Sequence, residues 1–564
     1  MRACLAVLCF EMHKRKEVDR MKFDSLTYRY PSRRELTFAR KGMVCTSQPL
    51  AAQAGLDTLK AGGNAVDAAV ATAAAMTVLE PTSNGLGSDA FALVWLEEKK
   101  ELLGLNASGR APRAISAEIV KAKGYESMPQ RGWIPVMVPG APSAWAELTK
   151  KYGKRTLREN LEPAIQYARE GYAVTPTIAK LWKSGYEVFD RIRAEADAAW
   201  VLPWFEHFAP EGRAPQAGEL WKSEEMAKSL TMIAETDAQC YYRGELAEKM
   251  DAFSRKTGGY LRKEDLADYW CEWVTPIHVN YRGYDAWEIP PNGDGIIALM
   301  ALNTLKNFTF ETGYDSRQSA ETCHRQLEAM KMAFADGTRY VADRKFMTVT
   351  EEELLAPAYG AARAALIGDT AKQPEYGDPR SGGTIYLCTA DSDGNMVSFI
   401  QSNYSGFGSG IVIPETGISL QNRGYNFSLE ETSENCLGPG KKSFHTIIPG
   451  FLTKDGEAVG PFGVMGAFMQ PQGHVQVLMN LIDFGLNPQE ALDAPRWQWI
   501  REKKVQLEPS FPQETARQLA AMGHEIEYAS ESISFGRGEM ILKGENGVYC
   551  GASEPRAAGT VAAW

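Results

Sequence analysis

Residues 371–383, AKQPEYGDPRSGG, hold two prolines and three glycines and show no hydrophobic period. Such a stretch reads as a linker or exposed loop. It ends abruptly. Thr384-Ile-Tyr-Leu-Cys-Thr-Ala390 is a strand pattern, Asp391-Ser-Asp-Gly-Asn395 is a turn, and Met396-Val-Ser-Phe-Ile-Gln-Ser402 is a second strand. A hairpin therefore begins at Thr384, directly after a segment that cannot be regular structure. The turn resembles a fragment of a calcium loop, but its Gly stands fourth instead of sixth and the closing Glu is missing. It is read as a plain hairpin turn.

Upstream, MVCTSQ (43–48) is strand-like and Leu50–Lys60 follows a helical pattern. Asp67–Leu79 is rich in Ala and Val and reads as a buried helix, with Asn64 or Asp67 at its cap. The Gly-Leu-Gly at 85–87 follows a helix instead of a strand and lacks the third glycine, so a structural loop is favoured over a phosphate cradle. Phe91–Trp95 and Leu102–Leu105 read as a strand pair. Residues 138–310 look mostly helical, and Cys323, Leu327, Met330 and Phe334 recur at the spacing of a core-facing helix.

Composition narrows the function. The chain has 564 residues, 44% hydrophobic and 23% charged, with a net charge of −10. These values suit a large soluble core and exclude collagen, coiled coil and small disulfide scaffolds. An acidic chain without a basic block is a poor partner for nucleic acid. Nine scattered cysteines without a C-x-x-C pair point to a reducing compartment, hence the cytoplasm. Ala3–Phe10 is too short for a signal peptide and no small-residue cleavage site follows it. No other stretch approaches the ~18 apolar residues of a membrane span, so no membrane partner is expected. Neither a metal site nor a cofactor is expected.

Thr384 carries the chemistry. A threonine hydroxyl is a weak nucleophile that needs a base. A cut just before it would expose an α-amino group with a pKa near ~7.7–8.0, able to serve as that base. Gly382 and Gly383 give the backbone freedom such a cut requires. A β-branched residue opening a strand is the plain alternative.

Several pieces occur in one order: LAAQAGLDTLKAGGNAVDAAVATAAAMTVLEPTSNGLG (50–87), VPGAPSAW (138–145), LEPAIQYAREGY (161–172), EAMKMAFAD (328–336), GTIYLCTADSDGNMVSF (383–399), FGSGIVIPETGISLQN (407–422) and SEPR (553–556). Together they resemble the γ-glutamyltranspeptidase family of N-terminal-nucleophile hydrolases. The resemblance implies an α+β fold, a four-layer αββα sandwich formed by both fragments of a self-cleaved precursor. It implies an extension at 1–42, a large fragment at 43–383 that ends in the flexible linker 371–383, and a small fragment at 384–564. Cleavage would fall between Gly383 and Thr384. Thr384 matches the nucleophile, Ser402 the second catalytic hydroxyl, and Gly466-Ala467 the backbone oxyanion hole. The two fragments are expected to pair. A dimer of such heterodimers is an option the sequence leaves open.

Substrate-reading positions depart from the family pattern. Ser108 stands where transpeptidases have an arginine, with Arg110 two residues on. The acidic grip on an α-amino group falls on Asn426, and a neighbouring glutamine falls on Arg423. Asn403, Tyr404 and His445 complete the expected pocket. A salt bridge is an equally good reading of each arginine, and a structural hydrogen bond of the histidine. Exchanging an anion for a neutral group beside a new cation disfavours an ammonium and favours a bare carboxylate. The pattern looks closest to the amidohydrolase branch, which implies hydrolysis of a small carboxylate-bearing amide such as oxamate to oxalate and ammonia. The alternatives are a γ-glutamyl hydrolase or transferase, an acylase-like amidase, and an uncleaved scaffold protein.

Overall fold

The computed structural model describes residues 34–195, 198–373 and 383–564. Two seven-stranded antiparallel sheets lie face to face. One runs, edge to edge, Thr37–Ala39, Tyr549–Ser553, Arg537–Lys543, Glu457–Met465, Gly450–Lys454, Tyr284–Glu288 and Ile277–Tyr281. The other runs Thr560–Ala563, Gly42–Thr46, Gly383–Asp391, Met396–Tyr404, Asp89–Leu96, Glu101–Ala107 and Glu272–Val274. Met43, Leu93, Tyr386, Ile400, Phe451 and Met465 fill the space between them. Helices Pro49–Lys60, Ala65–Leu79 and Ala141–Tyr152 cover the outer face of the second sheet, with Leu157–Glu170 packed on Ala65–Leu79, and Gly295–Leu305 and Met469–Ile482 cover the first. The result is the four-layer αββα sandwich that the sequence leads one to expect.

Local chemistry explains the elements around the site. Every residue of Ala65–Leu79 is buried. Its small side chains let Pro49–Lys60 approach so closely that a Cβ on Gly55 would stand 2.2 Å from Thr72 Oγ1. Asn64 Oδ1 accepts from the Val66 and Asp67 N–H groups, while Asp67 Oδ2 accepts from Asn64 N–H. This reciprocal cap contributes about 1 kcal/mol. In the hairpin that begins at the expected cut, Asp391 Oδ1 accepts from the N–H groups of Asp393 and Asn395, and Gly394 takes the turn's positive φ of 93°. All nine residues of Met396–Tyr404 are buried. That fits a central strand covered on both faces.

Residues on both sides of the Gly383–Thr384 bond supply strands to both sheets. In the second sheet, Gly383–Asp391 is bonded to Gly42–Thr46 on one side and to Met396–Tyr404 on the other. Cutting one peptide bond would leave these ladders intact. Two products held by shared sheets stay together because separating them means losing the whole inter-sheet core.

Some expectations need adjustment. The largely helical region 138–310 also contains the strands Glu272–Val274, Ile277–Tyr281 and Tyr284–Glu288. The last two form a hairpin whose turn residues Arg282 and Gly283 have φ of 54° and 86°. Within the expected extension 1–42, Thr37–Ala39 is a strand paired with Tyr549–Ser553, so this part belongs to the sandwich. Residues 1–33 of that extension and 374–382 of the expected linker lie outside the described residues.

Candidate active site

Thr384 sits at an irregularity in the hairpin, where the pairing register shifts between Gly383 and Ile385. Gly383 is opposite Tyr404. In the uncut chain Thr384 is fully buried. Its hydroxyl donates to Ser402 Oγ at 3.2 Å. Ser402 Oγ also accepts the Tyr404 N–H at 2.7 Å. The Ser402 oxygen thus accepts hydrogen bonds from both the Thr384 hydroxyl and the Tyr404 N–H, which orients the Thr384 side chain. Ser402 faces Asp89 across the neighbouring strand. The nucleophile candidate and its hydroxyl partner are therefore joined, as expected.

Gly466 and Ala467 follow strand Glu457–Met465 and open helix Met469–Ile482. Their φ angles are 143° and 52°. Only glycine takes the first without strain, whereas the second is a left-handed conformation that costs alanine roughly 1 kcal/mol. Their carbonyls accept from Met469 and Gln470 N–H, which starts the helix. Among the described residues neither Gly466 N–H nor Ala467 N–H has a hydrogen-bond partner. Two unengaged N–H groups at a helix start suit stabilisation of a developing oxyanion.

Gln470, which sequence reasoning missed, connects this loop to Thr384. Its Nε2 donates to Thr384 Oγ1 at 3.5 Å and its Oε1 accepts Ile448 N–H at 2.9 Å.

Arg423 is buried against Tyr404, two residues after Ser402. Its guanidinium lies 4.4 Å from the centre of the Tyr404 ring. Nη1 donates to Thr446 Oγ1 at 2.7 Å, and Nε stands 3.5 Å from Asp89 Oδ2. Nη2 has no hydrogen-bond partner among the described residues. Burial pushes the Arg423 pKa below the usual arginine value, against the pull of Asp89. His445 Nε2 lies 2.9 Å from the same Asp89 oxygen. Burial, with Arg423 nearby, lowers the His445 pKa to about 4. The ring is therefore neutral at pH 7, donates from Nε2, and leaves Nδ1 buried and without a partner among the described residues. Asp294, which feels the Arg423 charge, has its pKa raised by burial, and among the described residues neither carboxyl oxygen has a side-chain or backbone partner from another residue. Asp89, Asp294 and Thr446 were also missed by sequence reasoning. Nothing in a one-dimensional pattern marks an acid that meets its partners only across strands.

Other candidates are engaged elsewhere. Arg110 Nη1 lies 3.4 Å from Asp343 Oδ2 and donates to the Gly440 carbonyl at 3.3 Å. Its salt-bridge reading is the one the geometry supports. Ser108 Oγ donates within a buried cluster with Asn106 and Asn292. Asn426 Nδ2 donates to Phe444 O at 3.1 Å. Asn403 bridges Ser88 and Ser419 by side-chain hydrogen bonds of 2.8 and 3.1 Å. Those contacts make Asn403 a loop tie.

Among the described residues, the ligand atoms of His324, Glu328 and His524 lie within 4.8 Å of one another. His324 Nε2 donates to Gly368 O, so its Nδ1 accepts from His524 Nε2 at 2.8 Å. Lys331 is ion-paired with Glu328. An ammonium already on the carboxylate and a histidine pair bonded to itself oppose a metal cation at this trio. No helix among the described residues is long and apolar enough to cross a membrane.

Residues 51–564 match the family model described as gamma-glutamyltranspeptidase. The chain belongs to the γ-glutamyltranspeptidase family. A glutathione hydrolase-like proenzyme of Bacillus subtilis is 35% identical over 92% of this chain and 98% of its own length. The oxamate amidohydrolase proenzyme of Klebsiella pneumoniae is 31% identical over 93% of this chain and 98% of its own. A crystal structure described as cephalosporin acylase from Bacillus halodurans is 58% identical, with a TM-score of 0.90 over 96% of this chain and 99% of that one. This γ-glutamyltranspeptidase-family chain is thus a self-processing N-terminal-nucleophile hydrolase acting on amide carbon–nitrogen bonds.

Proposed function

We propose that the chain cuts itself before Thr384 and then hydrolyses amides whose acyl half carries a carboxylate without an α-ammonium. Thr384 Oγ attacks the amide carbon and its α-amino group takes the proton. The Gly466 and Ala467 N–H groups hold the oxyanion, and the protonated amine leaves. Water then attacks the threonyl ester, releasing the acid and restoring the hydroxyl. Pairing of fragments 43–383 and 384–564 keeps the site assembled.

One observation carries the choice of acyl group. The buried Arg423, stacked on Tyr404 two residues after Ser402, carries an Nη2 without a hydrogen-bond partner among the described residues, while Asn426, three residues on, is neutral. An unpaired guanidinium N–H suits a carboxylate, and no acid at Asn426 waits for an ammonium. Oxamate is the smallest member of the class. The similarity to a structure described as an acylase supports longer acyl chains within the same class. A second reading, γ-glutamyl hydrolysis or transfer, is favoured by the glutathione hydrolase-like relative. We keep the cytoplasm as the compartment, since all seven described cysteines are free thiols.

The test compares oxamate, a glutaryl anilide and a γ-glutamyl anilide on the matured enzyme. The two anilides differ only by the α-ammonium group. The proposal expects kcat/KM on the glutaryl compound to exceed that on the γ-glutamyl one by at least about tenfold, the effect of ~1.4 kcal/mol. A preference of that size for the γ-glutamyl compound overturns it. Turnover of oxamate would extend the class to its smallest acyl group.

A further inference from the structure

Gln470 is placed in contact with the reacting oxygen by three features that the sequence motif does not reveal. It lies in the first turn of helix Met469–Ile482 and is fully buried. Its own N–H donates to the Ala467 carbonyl at 2.9 Å, so it is braced against the loop that carries the oxyanion-hole candidates. Its side-chain orientation is set by chemistry. Ile448 N–H is a donor only, so the atom facing it at 2.9 Å must be the carbonyl Oε1. The NH2 group is thereby turned to Thr384 Oγ1 at 3.5 Å.

Ile448 also belongs to the segment that positions the pocket. Two residues earlier, Thr446 accepts from Arg423, and His445 reaches Asp89. Gln470 thus ties the nucleophile, the oxyanion loop and the Arg423 platform together through one amide.

We infer that Gln470 is a catalytic donor to Thr384 Oγ, acting first in self-cleavage and again whenever the threonyl ester forms and breaks. This rests on Thr384 being the nucleophile. In the precursor, where Thr384 has no free α-amino group, a donor on Oγ directs the hydroxyl proton toward Ser402 Oγ. It also stabilises negative charge on that oxygen as the proton departs. In self-cleavage the Oγ–C bond to Gly383 forms and the Gly383–Thr384 C–N bond breaks. The hydroxyl proton ends on the released amine. Water then cleaves the ester to the Gly383 carboxylate and the free Thr384 hydroxyl. In that second step Oγ is the leaving atom, and the Gln470 N–H again meets the developing charge.

The experiment follows cut and uncut mass with time in freshly synthesised precursors of wild type, Gln470→Glu, Gln470→Ala and Thr384→Ala, between pH 5 and pH 8. Gln470→Glu keeps an acceptor for Ile448 N–H and loses the donor. It should melt close to wild type but cleave about tenfold more slowly at pH 8, the weight of one hydrogen bond. The deficit should shrink toward pH 5, where the introduced carboxyl group gains a proton and can donate again. Gln470→Ala should be slow at every pH. A folded Gln470→Glu precursor that matches wild type at pH 8, or that is slow by one pH-independent factor equal to that of Gln470→Ala, overturns the assignment. The Thr384→Ala arm separates the two claims. If it still cuts, the nucleophile itself is wrong. If it is blocked while Gln470→Glu is unaffected, only the role of Gln470 fails.

Discussion

Replacing Arg423 by lysine keeps the charge and removes the geometry. The guanidinium makes three contacts at once: Nη1 to Thr446, Nε toward Asp89, and its face on Tyr404. A lysine ammonium is a single point on a flexible stem and cannot reproduce that fork. It will settle toward Asp89, the carboxylate within reach, and withdraw the N–H that Nη2 offers to substrate. A hydrogen bond to a charged group contributes about 1.5–3 kcal/mol. At ~1.36 kcal/mol per decade, kcat/KM on a carboxylate-bearing amide should fall by about 10- to 150-fold. Self-cleavage involves no substrate carboxylate and should proceed at close to the wild-type rate. The assay pairs cleavage kinetics by intact mass with kcat/KM on a glutaryl anilide and on a matched neutral acyl anilide. Loss should be confined to the carboxylate-bearing substrate. Equal losses on both substrates, or unchanged kcat/KM in a cleaved and folded variant, would refute the reasoning.

Ser402→Ala removes the acceptor for the Thr384 hydroxyl proton. Both self-cleavage and turnover should drop by about tenfold, the weight of one orienting hydrogen bond, with KM little changed in steady-state assays. His445 has a folded pKa of about 4 against 6.5 for an ordinary histidine. Its contribution to stability is present above pH 6.5 and is lost as pH falls toward 4. His445→Gln keeps a donor for Asp89 without the titration, so denaturant unfolding should show a flatter acid limb over that window. Glu288 and Asp294, whose pKa values burial raises, act in the opposite sense and are unchanged in the comparison. Gly87→Ala would drive a Cβ to 2.3 Å from the Ser419 carbonyl oxygen. Thermal melting should show a loss of several degrees, because the obstructing atom is backbone.

The sequence made the frame legible where chemistry is local. The Asn64 cap, the hairpin turn at Asp391–Asn395 and the buried Ala-rich helix each follow from a few adjacent residues, and the structure has all three. The hairpin Ile277–Tyr281/Tyr284–Glu288 was missed because its turn is Arg282-Gly283, not one of the usual Asn-Gly or Asp-Gly pairs. In the candidate site, the contact between Thr384 and Ser402 and the turn at Gly466-Ala467 were legible because they lie on motifs that occur in a fixed order. The polar network was not. Asp89 reaches Arg423 and His445 across more than 300 positions of chain, and Asp294 enters from a different helix start. Arg110 shows the reverse case. Its place in the sequence suggests a substrate contact, yet Asp343 and Gly440 hold it.

The most direct test of the account is the mass of the purified chain beside its Thr384→Ala variant. Wild type should yield two fragments that co-purify, the smaller beginning at Thr384, and the variant should remain one chain. A wild-type chain that is folded yet uncut, or a variant that is still cleaved between Gly383 and residue 384, would contradict the central claim.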